Sequence, residues 1–135
     1  MRHSLNPPGL AKPAGPYALV TTVETPGRLV FCSGAIALDE QGRIVGEGDI
    51  VAQTEQVMLN LRLALEAAGA TFADVVKINS YVTDVELYPQ IAPVRARFLS
   101  EPYPASTLVE VPRLLYPQLL IEIEAIAVVQ ADGGS

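Results

Sequence analysis

The sequence predicts an α+β fold in which two helices pack on one face of a mixed β-sheet. Two segments carry apolar residues at helical spacing, and β-branched, apolar runs stand on both sides of each segment. The predicted order of elements is therefore β-β-(β)-α-β-α-β-β. Each helix joins strands that are most easily parallel, so we expect two right-handed crossovers with both helices on the same face.

The first strands are expected after a proline-rich lead. Residues 1–12 favour extended or turn structure and offer few side chains for a core. Residues 17–23 and 29–33 have the composition of strands, and Pro26 with Gly27 between them predicts a hairpin with a tight turn. A third, brief strand is predicted at 43–45.

The clearest helix is predicted between Asp49 and Gly69. Asp49 is a suitable N-cap because its carboxylate accepts hydrogen bonds from the free amides of the first turn, and Gly69 is a typical C-terminal stop. The helical spacing places Gln53 away from the core. The residues predicted to face the core are Ile50, Thr54, Val57, Met58, Leu61, Leu65 and Ala68.

The second half of the chain begins with a strand predicted at 75–82. Apolar spacing then indicates a second helix around Ile91 and Val94, and Pro93 leaves its start open, since proline is tolerated only in a first turn or at a kink. Strands are predicted at 107–111 and 119–129, and a flexible tail at 130–135.

The composition bounds the class of protein. Half of the 135 residues are apolar and 18% are charged, which predicts one globular domain over residues 1–135. No apolar run approaches the roughly 20 residues that span a bilayer, and the N-terminus has no apolar signal segment, so we expect a cytoplasmic protein. The net charge of −6, without a basic patch, disfavours binding to nucleic acid.

The last predicted strand carries acidic residues on an otherwise apolar face. Glu122 and Glu124 alternate with the same period as Ile126 and Val128, so all four point to one side of the sheet. Burying an unpaired carboxylate costs several kcal/mol or raises its pKa, so these glutamates are either paired or solvated structural residues or are retained for function.

Two more charged residues bear on this acidic face. Glu110 lies within a predicted strand and would approach Glu122 or Glu124 if the two strands were neighbours. Arg113 is the nearest basic residue that could neutralise the set, most simply as a structural ion pair.

Other chemistry is poorly represented. His3 is the single histidine and lies in the lead, while Cys32 is the single cysteine and has no histidine partner nearby in the sequence, so neither predicts a nucleophilic triad. No spacing typical of a metal site occurs. One sheet face has no further element to cover it, which predicts self-association.

Several motifs, taken together, resemble the YjgF/Rid family, also called the endoribonuclease L-PSP family. The resemblance extends over about residues 13–129. Its motifs are Gly-Pro-Tyr at 15–17, Phe-Cys-Ser-Gly at 31–34, Gly-Asp-Ile at 48–50, Asp-Val-Val-Lys at 74–77, Pro-Ala at 104–105 and Ile-Glu-Ile-Glu-Ala-Ile-Ala at 121–127.

The resemblance implies a chorismate-mutase-like fold and a homotrimer with small-molecule clefts between its subunits. It also implies hydrolysis of reactive imines and enamines to a 2-oxo acid and ammonia, with no cofactor and no metal. In that chemistry an arginine binds the substrate carboxylate through two hydrogen bonds, and a glutamate positions or activates water.

The chain departs from the family pattern at three positions. Ser106 stands where the family's catalytic arginine follows Pro-Ala, Ala92 replaces an asparagine of the second helix, and Ala35 replaces a glutamine after Ser-Gly. Glu122 matches the catalytic glutamate. The residues predicted to bind substrate are Tyr17, Ser33, Gly34, Ala35, Ala92, Ser106 and Thr107.

The missing arginine leaves open whether the chain is an enzyme. Arg95 or Arg97 of the predicted second helix could reach the cleft instead, or the substrate could lack a carboxylate. The leading hypothesis is a hydrolase of a small imine, enamine or related metabolite, similar to a 2-iminobutanoate/2-iminopropanoate deaminase. The alternatives are a non-catalytic trimeric module that binds a small molecule or a partner protein, and an endoribonuclease, which the acidity disfavours.

Overall fold

The computed structural model describes residues 2–6, 8, 13, 16–18, 20–24 and 26–131. Within them lie two α-helices and two β-sheets, one of four strands in the order β3-β6-β4-β5 and one of two strands, β1-β2. The elements are β1 (Arg2–Leu5), β2 (Val20–Val23), β3 (Gly27–Ala35), α1 (Ile50–Ala67), β4 (Val75–Val82), α2 (Tyr88–Ala96), β5 (Ala105–Glu110) and β6 (Ile121–Gln130).

The larger sheet is mixed, as predicted. Strand β6 is antiparallel to both β3 and β4, which are therefore parallel to each other, and β4 is parallel to β5. Helix α1 connects β3 to β4 and helix α2 connects β4 to β5. Both helical connections thus link parallel strands, and the two helices pack on the sheet as the order of elements predicted.

Helix α1 begins and ends as predicted. The Asp49 carboxylate accepts a hydrogen bond from the Ala52 amide at 3.1 Å, and Gly69 follows the helix with a φ of 75°. That positive φ favours glycine, which has no Cβ to clash with the backbone.

Gln53 corrects one detail of the predicted helix. Its side chain is fully buried rather than turned away from the core. The amide nitrogen donates to the carbonyls of Gly46 and Gln118 at 3.1 and 2.9 Å, and its oxygen accepts from the Leu120 amide at 2.8 Å. A polar side chain is buried here because it satisfies the backbone of two loops, one of which leads into β6.

The core lies between the helices and one face of the large sheet. Alternate residues of β6, beginning at Ile121 and Ile123, are fully buried on that face, where Met58 and Leu61 of α1 belong to the same cluster. The opposite face, here called the outer face, carries exposed apolar side chains. Leu29 is 58% exposed, Phe31 70% and Val109 42%.

The predicted hairpin between β2 and β3 is wrong. Strand β2 pairs with β1, whereas β3 pairs with β6, beginning at Gly27 opposite Gln130. Tight two-residue hairpin turns require a positive φ, and Gly27 is not among the described glycines that have one. The dipeptide therefore leads the chain from the small sheet into the large one.

Smaller differences concern short elements. The strand predicted at 43–45 is only an isolated bridge between Leu38 and Ile44. Pro93 does lie inside α2, which begins one residue before Pro89. Parts of the predicted lead and tail belong to strands, namely residues 2–5 and Gln130. Residues 1, 7, 9–12 and 132–135 lie outside the described part.

None of the described helices has the length and hydrophobicity to cross a bilayer.

Candidate functional site

Glu122 lies on the outer face of the sheet, next to Tyr81 of β4. Its side chain is half-buried, and its carboxylate has no hydrogen-bonding partner among the described residues. Burial raises the pKa of Glu122 above the ordinary value for a glutamate, and the neighbouring Glu124 carboxylate raises it further. A carboxylate with a raised pKa is a stronger proton acceptor than an ordinary glutamate, which suits a general base.

Glu124 has a different environment, although it is only two residues away. Its Oε1 accepts hydrogen bonds from the Tyr81 hydroxyl at 2.6 Å and from the Asn79 amide at 3.2 Å. The bond to Glu124 is the main reason why the pKa of Tyr81 is raised. Glu124 is thus a hydrogen-bonded structural carboxylate, and Glu122 is the one left available for chemistry.

Strand β3 provides space for the Glu122 side chain. The pairing of β3 with β6 shifts between Cys32 and Ala35, so Ser33 and Gly34 form a bulge beside Glu122. A Cβ atom on Gly34 would lie 2.7 Å from Glu122 Cδ and 2.9 Å from Cγ, closer than real contacts allow. The absence of a side chain at Gly34 therefore determines where the carboxylate can lie.

A second group of residues lines a shallow cavity of about 320 Å³ near the edge strand β5. Tyr17 reaches this edge because its neighbour Ala18 forms a parallel bridge with Ala105 and donates a hydrogen bond to the Pro104 carbonyl at 2.8 Å. The lining residues are Tyr17, Tyr88, Arg95, Ser106 and Leu108. Two of these, Tyr17 and Ser106, were predicted to bind substrate.

Arg95 is the unusual member of this group. It is only 2% exposed, and its Nη2 donates a hydrogen bond to Ser106 Oγ at 3.1 Å. Its Nε has no partner, and no carboxylate forms an ion pair with it in the described part of the chain. Burial lowers the pKa of the Arg95 guanidinium, although arginine stays charged in proteins.

Within one chain, Glu122 and the residues that line this cavity lie on opposite faces of the sheet. Glu122 is opposite Tyr81 in the register of β4, whereas Ser106 is opposite Ile78, which is fully buried under the helices. Positions three residues apart in a strand point to opposite sides. The structure therefore does not bring Glu122 and Ser106 together in a single subunit.

The other predicted site residues are distributed over both faces. Ala35 is half-buried against the core at the end of β3. Ala92 is half-buried in α2, on the same helical face as Tyr88 and Arg95, from which it is four and three residues away. Thr107 is exposed next to Ser106 and accepts a hydrogen bond from Lys77 Nζ at 2.9 Å. Gly15 of the Gly-Pro-Tyr motif lies outside the described residues.

Two predicted contacts are wrong. Glu110 cannot approach Glu122 or Glu124, because β4 separates β5 from β6, and instead its carboxylate accepts a hydrogen bond from the Val85 amide at 2.9 Å. Arg113 forms no ion pair with these carboxylates in the described part of the chain. The order of strands thus separates Glu110 from Glu122 and Glu124, which remain neighbours on β6.

Comparison with known proteins identifies the family. The family model for Endoribonuclease L-PSP matches residues 9–129. The 3-aminoacrylate deaminase RutC of Acinetobacter baylyi is 35% identical over 90% of this chain and 93% of its own length. A 2-iminobutanoate/2-iminopropanoate deaminase of Dermatophagoides farinae is 31% identical over 93% of this chain and 95% of its own length.

A solved structure supports the same assignment. The Rid family protein YyfB of Yersinia pestis is 33% identical and superimposes with a TM-score of 0.87, covering 95% of this chain and 98% of that one. The fold is thus the α+β fold of the Rid proteins. The chain belongs to the YjgF/Rid family, whose sequence model carries the name Endoribonuclease L-PSP.

Proposed function

We propose that this protein hydrolyses small imines or enamines to carbonyl compounds and ammonia, in clefts between the subunits of a homotrimer. The observation that most directly supports this proposal is the state of Glu122. Its carboxylate is half-buried, has a raised pKa and makes no hydrogen bond in the described part of the chain. Two deaminases among the relatives act on an enamine and on imines, as their names state. The same reaction class fits a carboxyl group that can accept and return a proton.

The proposed reaction consumes one water molecule. Glu122 accepts one proton from water while the water oxygen bonds to the imine carbon, and this proton passes to the nitrogen to give a carbinolamine. The hydroxyl proton then moves to the amino group, and ammonia leaves as the C–N bond breaks and the carbonyl forms. An enamine first gains a proton at carbon and loses one from nitrogen, which gives the imine. Hydrolysis of this kind balances with water alone, so no redox partner or carrier group is required.

Two features of the sheet support the assembly. The outer face exposes Leu29, Phe31 and Val109, and a second copy of the chain would remove this apolar surface from water. In addition, a site that contained both Glu122 and Ser106 would have to combine the outer face of one copy with the helix-covered side of another. We propose that each cleft is formed in this way.

The experiment is ammonia release from imino acids that an amino-acid oxidase generates in place. Wild-type protein should accelerate release, Glu122→Ala should abolish the acceleration, and Glu110→Gln should retain it because Glu110 lies outside both groups. No acceleration by the wild type over a panel of imines would contradict the proposal. A parallel incubation with RNA tests the alternative that the family name suggests, and the proposal predicts that no RNA is cleaved.

A further inference from the structure

Arg95 is a buried cation that has no anionic partner among the described residues. Its side chain is almost completely removed from solvent, it makes one hydrogen bond, to a neutral hydroxyl, and its Nε is unpaired. The two ion pairs of the described residues use other arginines, Arg43 and Arg97. A buried charge is strongly destabilising unless a counter-ion neutralises it, so the structure favours an anion from outside the chain.

The guanidinium lines the cavity where such an anion would enter. The walls combine the two tyrosines, Tyr17 and Tyr88, with the apolar side chain of Leu108. A volume of about 320 Å³ lies at the small end of the range for ligand sites and suits a molecule of a few heavy atoms. A small organic carboxylate would place its charge at Arg95 and its carbon skeleton against the apolar wall.

Small side chains on both sides make room for the guanidinium. Ser106 Oγ is 3.1 Å from Arg95 Nη2, so a longer side chain at position 106 would occupy the space that the guanidinium now fills. Ala92, on the same helical face, adds no bulk between Tyr88 and Arg95. The hydroxyl of Ser106 holds one edge of the planar group, which leaves other N–H donors for a ligand.

We propose that Arg95 binds the carboxylate of this protein's ligand through charge-assisted hydrogen bonds, with Ser106 as the residue that orients it. The inference rests on the proposed function for the identity of the ligand as a small 2-oxo or imino acid. The expected contact is a guanidinium–carboxylate pair in a largely desolvated site, which is among the stronger polar contacts in proteins. The carboxylate subsite thus lies on α2 rather than on β5.

Binding measured without turnover tests this inference separately from the proposed reaction. The probes are pyruvate and its neutral analogue pyruvamide, titrated by calorimetry. Wild-type protein should bind pyruvate more tightly than pyruvamide, and Arg95→Met should lose about 10- to 100-fold in pyruvate affinity. Arg97→Met is the matched control, since Arg97 is exposed and paired with Glu55, and it should bind both probes as the wild type does.

Substitutions at Ser106 keep the test valid if Arg95→Met fails to fold. Ser106→Asp places an internal counter-ion beside Arg95, so it should abolish the preference for pyruvate while raising the thermal midpoint. Ser106→Asn adds the same bulk without the charge, so it should weaken the preference for pyruvate less than Ser106→Asp does. The inference is overturned if wild-type protein shows no preference for pyruvate, or if Arg95→Met or Ser106→Asp binds pyruvate as tightly as the wild type.

Failure of the two proposals would look different. Pyruvate binding that depends on Arg95, without accelerated ammonia release, would leave the subsite standing and remove the hydrolase. Ammonia release that survives Arg95→Met at unchanged KM would remove the subsite and leave the hydrolase standing.

Discussion

Replacing Gly34 by alanine should displace the Glu122 carboxylate and leave the fold intact. The added Cβ would lie 2.7 Å from Glu122 Cδ and 2.9 Å from Cγ, and closer still to Oε2. Comfortable contacts between carbon atoms are about 3.5–4.0 Å, so the carboxylate must retreat by roughly 1 Å. A misplacement of that size costs about 100-fold in rate for a catalytic group.

The folded state should tolerate this change. Gly34 has no positive φ, so alanine fits its backbone, and the atoms that must move belong to the end of a flexible side chain. Alanine also restricts the unfolded chain, which stabilises a protein by about 0.4–1 kcal/mol where the backbone is compatible. We therefore expect an unchanged or slightly higher thermal midpoint together with a loss of about 100-fold in kcat/KM for ammonia release.

A double-mutant cycle with Glu122→Ala identifies the cause. In the Glu122→Ala background there is no carboxylate to displace, so Gly34→Ala should cause no further loss. Full activity of Gly34→Ala would refute the reasoning. Equal losses from Gly34→Ala in both backgrounds would also refute it, because they would show that the bulge acts independently of Glu122.

Two further predictions concern charge and packing. Glu124→Gln removes the neighbouring charge that helps to raise the pKa of Glu122, so the pKa should fall and the acid limb of the ammonia-release profile should move to lower pH; an unmoved limb would contradict this. Gln53→Leu removes the partners of two carbonyls and one amide and should lower the free energy of unfolding in urea by about 2–4 kcal/mol. The same substitution at the exposed Gln90 should cost less than about 0.5 kcal/mol, and equal losses at the two positions would contradict the role of Gln53.

Periodicity predicted those parts of the fold that depend on neighbours in sequence. The three- and four-residue spacing in α1, with Asp49 and Gly69 at its ends, follows from one helix packing on one core. The alternation in β6 correctly placed Glu122 and Glu124 on one face with Ile126, since a strand turns its side chains by half a turn per residue.

Contacts between distant segments could not be predicted in this way. Gly27 pairs with Gln130 instead of closing a hairpin, because the sheet as a whole decides which strands become neighbours. Gln53 appeared solvent-facing by spacing, yet its amide group satisfies two loops that are distant in sequence.

The candidate site shows the same limit. Arg95 was only one of two arginines that could reach the cleft, and its place beside Ser106 depends on how α2 packs on β5. The spacing of Tyr88, Ala92 and Arg95 was a usable signal, since positions four and three residues apart share one helical face. The sequence could not show that this helical face is turned toward Ser106.

The shared site can be tested by mixing two variants that are each strongly impaired alone when the substrate concentration is well below KM. Glu122→Ala removes the group on the outer face, and Arg95→Met removes the group beside Ser106. The two variants, carrying different affinity tags, are unfolded, mixed in equal amounts and refolded, and assemblies that retain both tags are purified. In the proposed cyclic trimer, every assembly that carries both tags contains two copies of one variant and one of the other, so about one third of its clefts have both native residues.

We expect the mixed assemblies to release ammonia at roughly a third of the wild-type rate per subunit, because complementary halves meet at one interface in three. Mixed assemblies that carry both tags and are no more active than the separate variants would show that Glu122 and Arg95 do not serve one cleft between copies.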